Sequence, residues 1–241
     1  MKFLAFIILF LSSIVADSKP VTIGVMEYAP PFSSITNDGL NCYGFTVDIS
    51  NAICNQLKIE CSFKLILLSN QLQLLNDGTI DLAASVNPII AESEGQYLFS
   101  LPYFPSDGRF ITVSTGNINS VNDLKNKKIG VLKNTLYDVL IQQGNYTFDN
   151  IKQYQKFSDL IDGLATHEVD AIFLNNKVAE YLINNVAMNF KLVGDKIPIG
   201  QGYGFLALEK NKQLIKAINS GLLSIQADGT YIKIYNRYFS N

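Results

Sequence analysis

The chain has no tryptophan, one histidine (His167), two arginines (Arg109 and Arg237) and three cysteines in 241 residues. Each shortage closes off a class of chemistry. A Ser–His–Asp or Cys–His nucleophile would have to use His167. No nucleophile motif accompanies it, and it reads as a solvated helix-end residue ahead of Glu168. Two arginines and a formal charge of −2 leave no basic face. That excludes nucleic-acid binding, which needs phosphate-neutralising cations on one surface. The cysteines lack paired Cys or His spacing for zinc, and Asp159, Asp162, Glu168 and Asp170 lack the spacing of a calcium loop. The glycines of Gly200 to Phe205 precede a strand instead of a helix, so they read as sites of close backbone packing and not as a dinucleotide fingerprint. Neither a metal nor a cofactor is expected.

Long hydrophobic runs are also missing. Lys2 followed by the apolar run Phe3 to Leu11 and a small-residue site ending at Ala16 reads as a signal peptide over residues 1–16. The run is too short to span a bilayer. No later stretch approaches spanning length, and no cysteine follows the cut to carry a lipid. Loss of Lys2 with the peptide moves the formal charge from −2 to −3. The expectation is export to a soluble compartment. In such an oxidising setting two of the three cysteines should pair. Cys54, near a helix end, and Cys61, at the start of the next strand, are the better couple, which leaves Cys42 over.

The chain is 48% hydrophobic and 17% charged, as expected of a packed globular protein. Val21 to Met26 reads as a strand, and the prolines of Tyr28 to Phe32 force an extended turn. Gly39 and Gly44 flank a loop. Phe45, Ile49, Ala52, Ile53 and Leu57 then recur at helical spacing. Ser62 to Leu68 is the next strand, and a short helix over Asn70 to Asn76 leads to a buried strand at Asp81 to Val86. This strand–helix alternation is the βαβ rhythm of a mostly parallel sheet. It recurs, with strands at Lys128 to Leu132, Ile151 to Tyr154, Asp170 to Leu174 and Phe190 to Val193 and helices between them. Extended segments near 103–112 and 198–208 join the two runs, so the chain reads as two α/β lobes with a cleft between them.

Ligands of α/β folds sit at the carboxyl ends of strands, which points to the polar loop after Asp81 to Val86. In the second run, Lys133, Asn134 and Thr135 stand at a helix start. Amides beside a hydroxyl there suit a carboxylate or other anion, and capping of the helix by Thr135 or Asn134 is an equal alternative. The triplet Asn145-Tyr146-Thr147 matches a glycosylation acceptor by chance.

Several segments, in order and spacing, resemble a known family along nearly the whole mature chain: Thr22 to Val25 with Tyr28-Ala-Pro-Pro-Phe32, Gly44-Phe-Thr-Val-Asp48, Leu75 to Asp81, Phe99-Ser100 with Tyr103, Lys128 to Val131, Val169 to Ala171, and Asp228 to Phe239. The family is that of the bacterial periplasmic solute-binding proteins for polar amino acids, extracellular solute-binding protein family 3. The pattern is most similar to its lysine/arginine/ornithine-type members, whose disulfide the Cys54 and Cys61 spacing also resembles. The resemblance implies the periplasmic binding protein type II fold, with two α/β lobes joined by two hinge strands. Lobe 1 would comprise residues 17–108 and 200–241, and lobe 2 residues 109–199. It further implies a monomeric, non-enzymatic periplasmic protein that delivers a small molecule to the permease of an ABC transporter.

The resemblance also locates departures. Where the family holds an α-carboxylate with arginine, this chain has Ser93; where it holds an α-ammonium with aspartate, it has Asn175. Met26 stands where a binder of basic side chains would place an acid, and Val86 and Pro88 replace serines, with Ser85 retained. Losing a buried, hydrogen-bonded charge costs ~2–5 kcal/mol, and both charges of the clamp are gone. The expected ligand is therefore uncharged or less polar than a free polar amino acid, held by Tyr28, Phe32, Ser85, Asn87, Ser93, Thr135 and Asn175, with Glu27 and Lys133 as the nearest substitute charges. Arg109, in a hinge strand, reads as structural. Two other functions stay open: a dehydratase-like enzyme on the same fold, and a sensory or interaction protein with a vestigial cleft.

Overall fold

The computed structural model describes residues 19–36, 38–39, 41–84, 86, 88–89, 96–144, 148, 150–185 and 189–240. Strand β1 (Val21–Met26) buries its last four residues. The chain then turns through β2 (Tyr28–Ala29), β3 (Ser33–Ile35) and β4 (Cys42–Tyr43), a three-stranded antiparallel sheet where the sequence suggested only a loop. Strands of two or three residues are too short to carry a period-2 signal.

Helix α1 (Phe45–Leu57) buries Phe45, Ile49 and Ile53, one apolar face at four-residue spacing. Gly44 before it has φ 132°, and a Cβ there would run into the Phe32 carbonyl, so only glycine fits. The helix ends in left-handed Lys58, and a disulfide from Cys54 to Cys61 ties its last turn to β5 (Cys61–Ile66) across a Cα distance of 6.2 Å. Cys42 is the free thiol.

After α2 (Gln71–Asn76) comes β6 (Leu82–Ala83), far shorter than the expected strand over Asp81 to Val86. The cause is local. Val86 has φ 48°, left-handed backbone that no strand uses and that a β-branched residue adopts only under strain. β7 (Tyr97–Phe99) follows.

The second unit begins at β8 (Gly108–Val113) and runs through β9 (Lys128–Leu132), α3 (Leu136–Gln143), β10 (Asn150–Tyr154), α4 (Phe157–Ala165), β11 (Ala171–Asn175) and α5 (Asn176–Asn185) to β12 (Phe190–Ile197). A short turn at Val121–Leu124 is held by a reciprocal Ser120/Asp123 capping box. β12 runs four residues past the expected Val193, with an irregularity in its pairing before Ile197. The chain returns through β13 (Leu206–Leu208) to α6 (Lys212–Ala227) and α7 (Thr230–Phe239), which pack on α1.

Two five-stranded sheets result. One has the order β5-β1-β6-β13-β7, the other β10-β9-β11-β8-β12. β1 is parallel to β5 and β6, and β9 to β10 and β11, while β8 and β13 run against their neighbours. The protein is a two-lobed α/β fold. Where the chain crosses between lobes its two passes pair with each other: the Tyr103 amide donates to the Tyr203 carbonyl at 2.7 Å, and the Tyr203 amide to the Phe104 carbonyl at 2.6 Å. Ser106 completes the pairing by donating its hydroxyl to the Ile199 carbonyl and accepting from the Gly202 amide at 3.1 Å. Beneath the crossing, Phe32, Phe45, Phe104, Tyr203 and Phe239 form an aromatic core with ring centroids 4.7–6.3 Å apart. Among the described residues no helix is long and apolar enough to cross a membrane.

Candidate functional site

The carboxyl ends of β1 and β6 in one sheet face those of β9 and β11 in the other. A cavity of about 40 Å³ lies between them. Met26, Leu68 and Val86 close it from one side, and Leu132, Phe157 and Val178 from the other. Its volume compares with the ~30 Å³ share of one liquid water, far below the ~300–1,000 Å³ of most small-molecule sites. The lobes therefore stand closed on each other. At the edge the Tyr28 ring crosses to the Phe157 ring, with centroids 5.7 Å apart.

No charged side chain lines this cavity among the described residues. Its polar groups, Thr135, Tyr137, Asn175 and Tyr203, are largely engaged by the protein itself. Thr135 caps α3: its hydroxyl accepts from the Asp138 amide at 3.0 Å and donates to the Leu132 carbonyl at 2.7 Å. Asn175 caps α5, its side-chain oxygen accepting from the Lys177 amide at 2.9 Å and the Val178 amide at 3.2 Å. Its amide nitrogen donates to the Asp107 carbonyl at 3.2 Å and the Tyr137 hydroxyl at 3.3 Å. Tyr137 also donates to the Ser106 carbonyl at 3.2 Å and shares a hydrogen bond with the Tyr203 hydroxyl. Burial raises the Tyr137 phenol to about 12 and lifts Tyr203 well above the usual tyrosine value, so both are neutral donors at ordinary pH.

A second cavity, of about 280 Å³, opens outward from the first and shares Met26, Leu68, Leu132 and Phe157 with it. This rim is different in kind. Glu27 and Lys156 line it, the only charged side chains there among the described residues, and they come from opposite lobes. Tyr28 is 43% exposed at this mouth, its phenol held above the usual value first by partial burial and then by Tyr181 and Tyr43.

The candidate residues thus separate. Thr135 and Asn175 line the inner cavity, while Glu27 and Tyr28 line the rim. Phe32 is a correction: it has no exposed surface and sits inside the aromatic core, because its neighbours Phe45, Phe104 and Tyr203 enclose the ring. Lys133 is half-buried and lines neither cavity; its backbone amide donates to the Tyr154 carbonyl at 2.9 Å. Ser85, Asn87 and Ser93 lie outside the described residues, as do Asn145, Tyr146, Thr147 and residues 1–16.

Four site residues were not singled out from sequence: Tyr137, Lys156, Phe157 and Tyr203. Phe157 is one apolar residue in a helical sequence and Tyr203 one tyrosine among glycines, with nothing in the sequence to mark either. A signal existed for Tyr137, which stands two places after the helix-start threonine. Away from the cleft, Arg109 donates its Nε to the Gly194 carbonyl at 2.9 Å, binding β8 to β12. His167 is an exposed, left-handed residue just past α4. Asp170 accepts from the Lys128 amide at 2.8 Å, and Glu168 pairs with Lys152, which together with Tyr154 holds its carboxyl below the usual range.

A sequence profile of the bacterial extracellular solute-binding proteins, family 3, matches residues 21–241. The arginine-binding periplasmic protein of Mannheimia haemolytica is 31% identical over 229 residues, covering 93% of each chain. The L-cystine-binding protein TcyJ of Escherichia coli is 28% identical over 228 residues, 93% of this chain and 84% of that one. Among solved structures, an arginine third transport system periplasmic binding protein from Legionella pneumophila superposes with a TM-score of 0.87 at 33% identity, over 92% of this chain and all of that one. The chain belongs to the bacterial extracellular solute-binding proteins, family 3.

Proposed function

We propose that this protein is the solute-binding component of an ABC importer, that it works in the periplasm after loss of residues 1–16, and that it binds a small molecule of the amino-acid class in the inter-lobe cleft. The observation that carries this reading is the place of the cleft, at the facing carboxyl ends of β1, β6, β9 and β11. Relatives named for arginine and cystine support the ligand class. Residues 17–108 with 200–241 form one moving body and residues 109–199 the other, hinged at the paired crossing segments. The protein acts as a monomer that captures and releases, and it catalyses no reaction. Its partner is the permease of the importer.

The ligand is less polar than arginine. The described wall of the inner cavity holds no charge, and Asn175, at the position where resemblance implies an aspartate, is committed to a helix cap and to Tyr137. Thr135 and Asn175 contribute to that wall and Tyr28 to the rim, and Ser85, Asn87 and Ser93 are assigned further polar contacts. Calorimetric titration of ligand-stripped protein with a panel of amino acids and their uncharged analogues tests the reading. Saturable binding by a member of the panel is expected. Arginine bound at micromolar strength would sink the altered-pocket part, and silence across the panel would sink the whole.

A further inference from the structure

The inner cavity and the rim divide the labour of recognition. No described side chain of the inner cavity is charged, and Asn175 and Tyr137 there spend their hydrogen-bonding capacity on protein partners. An ammonium or carboxylate placed against that wall would be desolvated without a counter-charge, the arrangement that burial penalises most. The rim carries one anion, Glu27, and one cation, Lys156. Neither has an ion pair among the described residues. They come from opposite lobes, and the apolar residues Met26, Leu68, Leu132 and Phe157 line both the rim and the inner cavity.

We infer that the ligand is an amino acid with an apolar side chain, seated with that side chain directed inward and with its ammonium and carboxylate at the rim, on Glu27 and Lys156 respectively. The inference rests on the solute-binding reading above. One charge of each sign matches a zwitterion, and each contact is a charge-assisted hydrogen bond. Because the two residues belong to different lobes, a zwitterion bridging them binds the closed arrangement better than an open one. That differential affinity is what lets a ligand drive closure. Met26, unbranched and buried at the junction of the two cavities, is the wall residue most able to move aside for a side chain of leucine or methionine size. The orientation also accounts for the lack of charge among the described residues of the inner wall: nothing charged needs to be met there.

The test is calorimetry on ligand-stripped protein with leucine, methionine and arginine, alongside leucinamide, which lacks the carboxylate, and 4-methylpentanoate, which lacks the ammonium. The variants are Glu27→Gln and Lys156→Met. Both residues are exposed, so folding is preserved, and Lys210→Met, on an exposed turn far along the chain, controls for net charge. Leucine or methionine should bind at least about tenfold more tightly than either analogue. Each rim variant should weaken it by about tenfold, ~1.4 kcal/mol, with no effect from Lys210→Met. Glu27→Gln should leave 4-methylpentanoate binding unchanged, because that molecule has no ammonium to lose. Leucine binding indifferent to both rim variants, or arginine binding more tightly than any apolar amino acid, overturns the inference and leaves the solute-binding reading standing. Failure of every compound to bind overturns both.

Discussion

Tyr137 on α3 and Tyr203 on the returning crossing segment meet hydroxyl to hydroxyl at the floor of the inter-lobe cavity. The surrounding bonds fix the direction of that contact. Tyr137 has one hydroxyl proton, and the Ser106 carbonyl takes it. Its oxygen then accepts from Asn175 and from Tyr203, which fills both lone pairs. Tyr203→Phe removes one donor and leaves Tyr137 otherwise satisfied. Tyr137→Phe takes away the acceptor of the buried Tyr203 hydroxyl proton and leaves that oxygen only its contact with Asn175, and an unmatched buried donor costs ~1–3 kcal/mol. Urea denaturation should therefore rank Tyr137→Phe as the more damaging single change. The double variant should be no worse than Tyr137→Phe alone. Equal losses in the two single variants would contradict the assigned direction.

The same pair sets an alkaline limit. Burial holds the Tyr137 phenol at about 12 and lifts Tyr203 well above the usual tyrosine value, whereas an unfolded tyrosine titrates near ~10. The folded state thus keeps protons that the unfolded state gives up, so the pair's stabilising contribution is whole below pH ~10 and is lost as pH rises from there through about 12. Urea midpoints should be steady from neutral pH to about pH 9 and fall beyond pH ~10. The Tyr137→Phe/Tyr203→Phe protein should fall less steeply, since it has two fewer buried phenols to ionise. An unchanged alkaline slope in the double variant would show that other groups dominate.

The Cys54–Cys61 bridge closes a short loop, with a sequence separation of 7. Loop-closure entropy for so short a span gives ~2–3 kcal/mol of stabilisation. Reduction, or the Cys54→Ser/Cys61→Ser double change, should lower the urea-derived stability by about that amount. The fold should survive, because α1 is also held by Phe45, Ile49 and Ile53. Cys42→Ser should change little, as this thiol is unpaired.

Much of the fold was legible because it rests on period and punctuation. The face of α1 and the limits of β9 follow from spacing that the structure reproduces. What escaped has particular causes. Val86 reads as a strand residue by type and is not one, because its backbone is left-handed, against the preference of a β-branched residue. Tyr28 and Phe32 stand four places apart in one family-like segment; the turn between them sends one ring to the rim and the other to the core. Lys156 and Glu27 are far apart in the chain, and only the packing of one lobe on the other shows that they share a cavity.

Asn175→Asp asks whether the ammonium partner implied by resemblance can be restored by one atom. The cap would survive, since a carboxylate accepts from the Lys177 and Val178 amides as the present oxygen does, and a helix N-terminus favours negative charge. The other side would not. The Asn175 amide nitrogen donates to the Asp107 carbonyl, and a carboxylate oxygen in its place would face another oxygen at about 3.2 Å. The site is only 5% exposed, so water offers little relief. A loss of ~1–3 kcal/mol is expected at pH 7. It should shrink toward pH 4, where a protonated carboxyl can again donate to Asp107, and arginine affinity should not appear in calorimetry. Micromolar arginine binding by this variant would mean that a charge on this side of the cleft is enough, and that the cap and the Tyr137 contact are dispensable to the site.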